Sequence, residues 1–319
     1  MKYESSSQFV DSLKETIPDV IVDDVDLVRG HNVDWTGKVE GCARFLLRPS
    51  SPAQLELILM LANRFQTPIH IQGGNTSLVG GATPIKSEFI LTTSKLKRIR
   101  NFDSQLGRVT CEAGVTLSEL SNYLKGTGYH FGVDLASRDS ATIGGMISTN
   151  AGGIHFIRHG GLRDQVVSLD LITPAFGLVS ASSQYLKDNT GIDVGRIAIG
   201  AEGTIGVVTS ATLRLVPNTA SSFTALIGVA TFTEALDKLR FARQFASLTA
   251  AEFFTYDGVV LIEKALGASI PFRSRFYLLF QFDGGMSLGH ELSEAFGDSD
   301  GDVAVATDST ASKKTLVST

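Results

Sequence analysis

Gln72-Gly73-Gly74-Asn75-Thr76-Ser77-Leu78-Val79-Gly80-Gly81 places four glycines and an asparagine directly after the β-like run Ile69 to Ile71. Glycine reaches φ > 0 without steric cost and asparagine tolerates the left-handed region. Successive backbone N–H groups in such a turn converge on a concavity that binds anions, above all phosphate. Neither common nucleotide signature fits. A P-loop needs Lys after its last glycine, where Ala82 stands, and the spacing fails the three-glycine dinucleotide pattern. Alone, the run is equally an ordinary tight turn.

A second segment, Asp134 to Gly153, combines Gly144, Gly145, Gly152 and Gly153 with the hydroxyls of Ser140 and Thr142 and the amide of Asn150. That mixture suits phosphate, ribitol hydroxyls and the polar edge of a flat heterocycle. By itself it also reads as a polar helix-capping loop. A third stretch runs from Lys187 to Val194 and on through Gly200 to Thr209. Glycine-rich loops recurring in one domain argue for a long ligand with a diphosphate and a ring.

The scaffold that must position these loops is alternating α and β. Phe9, Leu13 and Ile17 mark a short amphipathic helix stopped by Pro18, and the acidic Asp23, Asp24 and Asp26 read as solvated. His31, Asp34 and Trp35 fall in a loop where a lone histidine is more often structural than catalytic. Phe45 to Leu47 reads as a strand. Ser51, Pro52 and Gln54 supply a cap, a first-position proline and a capping-box partner for a helix with Leu55, Ile58, Leu59, Ala62 and Phe65 on one face. Pro68 ends that helix, and the strand Ile69 to Ile71 delivers the first glycine run to a carboxyl end, where ligands sit in open α/β sheets. Further strands are expected over 89–92, 108–112, 166–172 and 207–215. Thr116 with Glu119 heads another helix, stopped by Gly126 and Gly128. Pro217 closes the domain.

The chain has 319 residues, 43% of them hydrophobic and 19% charged, with 32 glycines, which fits two folded domains of loop-rich α/β character. Net charge is −5 and the basic residues are scattered, so nucleic acid and anionic membrane surfaces are not expected as partners. No apolar run is long enough to span a bilayer. Cys42 and Cys111 have neither CxxC nor metal-ligand spacing, and no signal-peptide core follows Met1, so a cytoplasmic location is expected.

Together these segments resemble the FAD-binding domain of the vanillyl-alcohol-oxidase and p-cresol-methylhydroxylase (PCMH) flavoprotein superfamily. Within it they are similar to the FAD-linked D-2-hydroxyacid dehydrogenases. The carrying motifs are QGGNTSLVGG at Gln72 to Gly81, ATIGGMISTNAGG at Ala141 to Gly153, KDNTGIDV at Lys187 to Val194 and GAEGTIGVVT at Gly200 to Thr209. They stand in the family's order between Arg44 and Pro217. The QGGNT form is more similar to D-2-hydroxyglutarate dehydrogenases than to D-lactate or glycolate enzymes. The resemblance implies an α+β protein in three parts. Residues 1–40 form a leader, 41–217 a PCMH-type FAD-binding domain of two α/β subdomains, and 218–319 an incomplete α+β cap (substrate) domain.

Carried onto this chain, the family pattern places Gly73, Gly74, Asn75, Thr76 and Ser77 around the FAD diphosphate, helped by Gly80 and Gly81. Asp134, Ser140, Thr142, Gly144 and Gly145 line the second wall, Asn150 and Gly152 lie near the flavin, and Ile205, Gly206 and Val207 border the ring. Covalent relatives carry a histidine in the first loop; this loop has none, so non-covalent FAD is implied. Two departures stand out. Ile192 replaces a usual Tyr, and Pro174-Ala175-Phe176-Gly177 replaces an Asp-Gly hairpin turn, which alters turn geometry.

The implied function is FAD-dependent oxidation of a D-2-hydroxy acid to the 2-oxo acid, with hydride moving from the α-carbon to flavin N5, the hydroxyl proton going to a base or metal-bound group, and electrons passing to an unidentified acceptor. In the family the carboxylate-fixing arginine and a His, His, Glu divalent-metal cluster lie past the segment Ala306-Thr307-Asp308 and Lys313-Lys314, which resembles the start of the next cap helix. Neither has a counterpart before Thr319, so truncation, exposure of Phe276 to Phe282 and aggregation or pairing are expected. His155 and His159 stand four apart but lack the Glu of a zinc motif. Lys187 and Asp188 read as structural, leaving the catalytic residues unknown. The competing readings are a non-catalytic FAD-binding fragment, a subunit completed by a homodimer mate or another chain, and a sugar oxidase or cell-wall precursor reductase of the same superfamily.

Overall fold

Phe9 and Leu13, one helical turn apart, are wholly buried and anchor α1 (Lys2–Thr16), which the proline at 18 terminates. The chain is described by a computed structural model over residues 2–87, 89–181, 185, 190, 193–267, 269–284, 296 and 303–307. After β1 (Ile21–Val22), Asp24 caps α2 (Val25–Asn32) by accepting from the N–H groups of Asp26 and Leu27. His31 therefore sits in a helix's last turn and not in the expected loop. β2 (Phe45–Leu47), α3 (Pro52–Arg64), β3 (Ile69–Gln72) and β4 (Phe89–Thr92) follow. Ser51 caps α3 through the Gln54 N–H, while the Gln54 side chain reaches back to the N–H of Ser50, one residue beyond the capping box.

These strands form a sheet in the order β1-β2-β4-β3, in which β2, β4 and β3 run parallel. Parallel strands need covered faces. Leu55, Ile58 and Leu59 of α3 join Phe9, Leu13, Phe89 and Leu91 in one core, where each buried side chain contributes about 1.5–3 kcal/mol.

The second sheet is antiparallel, in the order β5-β6-β10-β8-β9, from β5 (Ile99–Asp103), β6 (Arg108–Glu112), β8 (Val166–Thr173), β9 (Gly177–Ala181) and β10 (Val207–Pro217); β7 (Tyr129–Phe131) also pairs with β10. The helices among these strands are α4 (Leu117–Leu124), α5 (Ile143–Ser148), α6 (Phe156–His159), α7 (Leu162–Gln165) and α8 (Val194–Ala198). Thr116 and Glu119 form both bonds of the capping box of α4. Alternate residues of β6, β8 and β10 pack on α4 and α5; among them Cys111 is buried, which pushes its thiol up to about 12. The hairpin at Pro174 to Phe176 is a three-residue tip closed by the Thr173–Gly177 pair, wider than a two-residue Asp-Gly turn.

The described chain divides into two compact units. One comprises Met1–Gly152 and Gly161–Pro217, the other Gly153–Gly160 and Asn218–Thr319. The second contains β11 (Ser222–Val229), α9 (Phe232–Ala242), β12 (Leu248–Thr255), α10 (Tyr256–Leu266), β13 (Phe276–Asp283) and β14 (Val303–Thr307), with strands in the antiparallel order β12-β13-β11-β14. Two expectations are corrected here. β13 is an interior strand whose Leu278, Phe280 and Phe282 pack with α9 and whose Tyr277 packs with Val259 of α10, so the run Phe276 to Phe282 is covered. Ala306 and Thr307 end a strand paired with β11 and do not open a helix; Asp308, Lys313 and Lys314 lie outside the described residues.

Candidate functional site

β3 and β4 run parallel and in register, so Gln72 and Thr92 end the ladder side by side and the chain after each emerges at the same edge. From that edge the first glycine run departs. Asn75 takes φ +51°, the left-handed region that asparagine tolerates, and its Nδ2 donates to the Val33 carbonyl at 2.8 Å. Gly73 and Gly74 serve a different purpose from the one expected, since neither has a positive φ. A Cβ on Gly73 would stand 2.7 Å from Thr142 Oγ1, and one on Gly74 would run into the Ser140 carbonyl. These glycines let the first loop lie directly against the second segment.

That second segment is a helix start and not a free nest. Thr142 caps α5 by accepting from the Gly145 N–H at 3.3 Å; the Ile143 and Gly144 N–H groups donate to the Val115 and Ala113 carbonyls, each at 2.8 Å. Its donors are spent internally. Among the described residues the backbone N–H groups of Gly74 to Ser77 have no such acceptor, so the donor-rich wall is the first loop.

The segments 71–77, 141–151 and 202–208 meet on one cavity of about 290 Å³. Of the residues singled out from sequence, Gly73, Gly74, Asn75, Thr76, Ser77, Gly81, Thr142, Gly144, Gly145, Gly206 and Val207 line it. Gly80, Asp134, Ser140, Asn150, Gly152 and Ile205 stand outside its lining. Asp134 is ion-paired with Arg138, Ser140 backs Gly74 with its carbonyl, and Asn150, at φ +48°, accepts from the Arg163 N–H at 3.0 Å. Lys187 and Asp188 lie outside the described residues, as do Ile192 and most of the KDNTG run.

Sequence reading missed Gln72, Thr93, Ser148, Thr149 and Glu202, which also line the cavity. Thr93 follows the carboxyl end of β4, a position that strand parallelism would have flagged. Its Oγ1 and the Oδ1 of Asn75 are buried without a hydrogen-bond partner. Such atoms cost free energy unless a ligand or water satisfies them. An adjoining cavity of about 330 Å³ shares Ile71, Gly203, Gly206 and Val207 with the first.

Among the described residues that line the cavity, Glu202 is the one ionisable side chain, and none is Arg, Lys or His. His70 lies on β3, before the loop. Burial pushes its imidazole below the usual range, against the pull of the Ala82 and Gly81 backbone. In the other unit the rings of His155 and His159 stand 6.3 Å apart, and among the described residues no three His, Cys, Asp or Glu side chains come together.

Comparison with known proteins gives this geometry a context. An FAD binding domain family matches residues 43–181. The chain is 33% identical over 283 residues to the D-2-hydroxyglutarate dehydrogenase, mitochondrial, of Bos taurus, covering 88% of this chain and 52% of that protein. It is 32% identical over 269 residues to the Arabidopsis thaliana protein of the same name, covering 83% and 48%. The chain thus spans about half the length of the curated relatives it matches. Among solved structures, an alkyldihydroxyacetonephosphate synthase superposes with a TM-score of 0.78 at 22% identity, covering 97% of this chain and 62% of that one, a likeness of fold. The expected cytoplasmic location is corrected by these comparisons: the relatives are named as mitochondrial, which points away from a purely cytoplasmic protein.

Proposed function

Since the chain carries a domain of the FAD-binding family and its curated relatives are D-2-hydroxyglutarate dehydrogenases, we propose that it holds FAD non-covalently and oxidises a D-2-hydroxy acid of the 2-hydroxyglutarate, lactate or glycolate class. The observation that carries this reading is the contact of the first glycine loop with the Thr142 segment around a single cavity. The residues fit the cofactor. The N–H groups of Gly74 to Ser77, which have no backbone acceptor among the described residues, would hold the diphosphate, and Thr142, Gly144 and Gly145 would line another wall of its site. The orphaned Thr93 Oγ1 and Asn75 Oδ1 gain partners. The absence of histidine from the first loop supports a non-covalent link. Bound FAD would supply the two-electron acceptor for oxidation of the hydroxy acid.

A second reading is favoured by the cavity's composition. The described residues of its lining include no Arg, Lys or His, so they offer no cation for a substrate carboxylate and no imidazole or amine base for a hydroxyl proton. The chain then binds FAD and completes its substrate site with residues outside this cavity, from another part of the protein or another subunit. Anaerobic mixing of the FAD-loaded protein with D-2-hydroxyglutarate, D-lactate and glycolate separates the two. Bleaching of the flavin band by one of these acids supports the dehydrogenase, and bound FAD that none of them reduces supports the second reading.

A further inference from the structure

Glu202 has two unusual features. Its φ is +50°, a conformation that a side-chain-bearing residue adopts at a cost and that concentrates at functional sites. It is held there by its own N–H, which donates to the Ser148 carbonyl at 2.9 Å at the end of α5. The carboxylate also faces the glycine loop, since a methyl group placed on Gly81 would stand 3.4 Å from Glu202 Oε2 and 3.6 Å from Ser77 Oγ. An acceptor-only group thus stands beside a loop of N–H donors and lines the same cavity.

A carboxylate in that position cannot serve a phosphate, because both are negative and both only accept hydrogen bonds. Glu202 itself is exposed, so water serves its carboxylate until the donors of a ligand take that place. Asn75 Oδ1 has no such recourse: Nδ2 is committed to the Val33 carbonyl, which fixes the amide orientation and leaves a buried oxygen with no donor. The ligand must bring hydroxyl or N–H donors to the loop as well as phosphate oxygens.

We propose that Glu202 is the specificity-determining residue that reads a vicinal diol of the bound dinucleotide, accepting from its two hydroxyls while the N–H groups of Gly74 to Ser77 hold the adjoining diphosphate. This assignment rests on the FAD reading. FAD carries vicinal hydroxyls on its ribose and on its ribitol chain, and Glu202 serves one of them. The positive φ is retained because it aims the carboxylate across the cavity at the loop.

Titration of the full chain with FAD, followed by flavin fluorescence, tests the role in Glu202→Gln, Glu202→Ala and Glu202→Gly. Loss of a charged acceptor weakens binding of FAD about 10- to 100-fold in Glu202→Ala. Glu202→Gln, which keeps one oxygen, falls between Glu202→Ala and the wild type. Glu202→Gly relaxes the backbone, so its ligand-free melting temperature matches or exceeds that of the wild type while its affinity falls, a combination that a merely structural residue does not give. Parallel titrations with ADP and riboflavin locate the diol: a loss shared by ADP assigns the ribose, and one shared by riboflavin assigns the ribitol. Wild-type protein that binds FAD, with Glu202→Ala and Glu202→Gln binding equally or more tightly, overturns the role alone. Wild-type protein that binds no FAD overturns the cofactor reading, and this role with it.

Discussion

Gln72 and Ala82 flank the glycine run and are joined directly, Gln72 Nε2 donating to the Ala82 carbonyl at 2.8 Å. The same nitrogen donates to the His31 carbonyl at 2.9 Å. With both amide hydrogens committed, Oε1 can only accept, so the His31 imidazole that contacts it carries its proton on Nδ1. One wholly buried side chain thus closes the loop at its neck and ties it to α2. Gln72→Leu leaves two carbonyls and an imidazole N–H without partners and is expected to lower stability by roughly 2–4 kcal/mol, with weaker FAD binding. Denaturant midpoints measure the first effect, and an unshifted midpoint would show that the clasp is unimportant.

The close approach of the two loops predicts a contrast between neighbouring glycines. Gly74→Ala drives a methyl group into the Ser140 carbonyl, which is backbone and cannot yield. Loss of FAD binding and a stability drop of about 2 kcal/mol or more are expected. In Gly81→Ala the methyl meets only the ends of Glu202 and Ser77 at ordinary contact distances, and the fold is expected to keep its melting temperature. Equal effects at the two positions would refute close approach as the reason for Gly74.

What the chain revealed before its structure follows the range of the forces involved. Ser51 and Pro52 at α3 and Thr116 with Glu119 at α4 were legible because caps are local hydrogen bonds. α5 was legible only through the alternative reading of its segment as a helix-capping loop: Gly144 and Gly145 are poor helix formers, and the helix forms because its first N–H groups reach Val115 and Ala113, about thirty residues back. The glycine runs announced a ligand loop, but the purpose of Gly73 and Gly74 was legible only once Thr142 and Ser140 stood opposite them. Thr93 carries no local signal at all, since β-sheet pairing alone brings the ends of β3 and β4 to the cavity, whereas Glu202 lies within the GAEGTIGVVT motif and was passed over there for Ile205 to Val207.

Thr142 has two tasks, capping α5 and lining the cavity against Gly73. Thr142→Val keeps the shape and removes the acceptor, so a loss of about 1 kcal/mol is expected from the missing cap, with Thr142→Ser restoring it. Thermal melts of the three proteins check this. A Thr142→Val protein as stable as the wild type would contradict the capping role.

His70 gives the fold a pH dependence whose sign is set by burial. Its folded imidazole titrates below the ordinary value of 6.5, so between the two values the unfolded chain binds the proton and the folded chain does not. This contribution to stability is fully present above the unfolded value and is lost as pH falls through it toward the folded value. His70→Gln is expected to flatten the acid side of the stability curve below the ordinary imidazole value. Parallel curves for the two proteins would remove His70 from the account.

The central claim is that one cavity, walled by turns distant in sequence, holds one flavin dinucleotide. Equilibrium titration of the purified chain with FAD tests it most directly. The account predicts saturable binding of one FAD per chain, released intact on denaturation because no covalent bond holds it, and abolished in Gly74→Ala. A correctly folded wild-type chain that neither retains FAD nor takes it up on titration would contradict it.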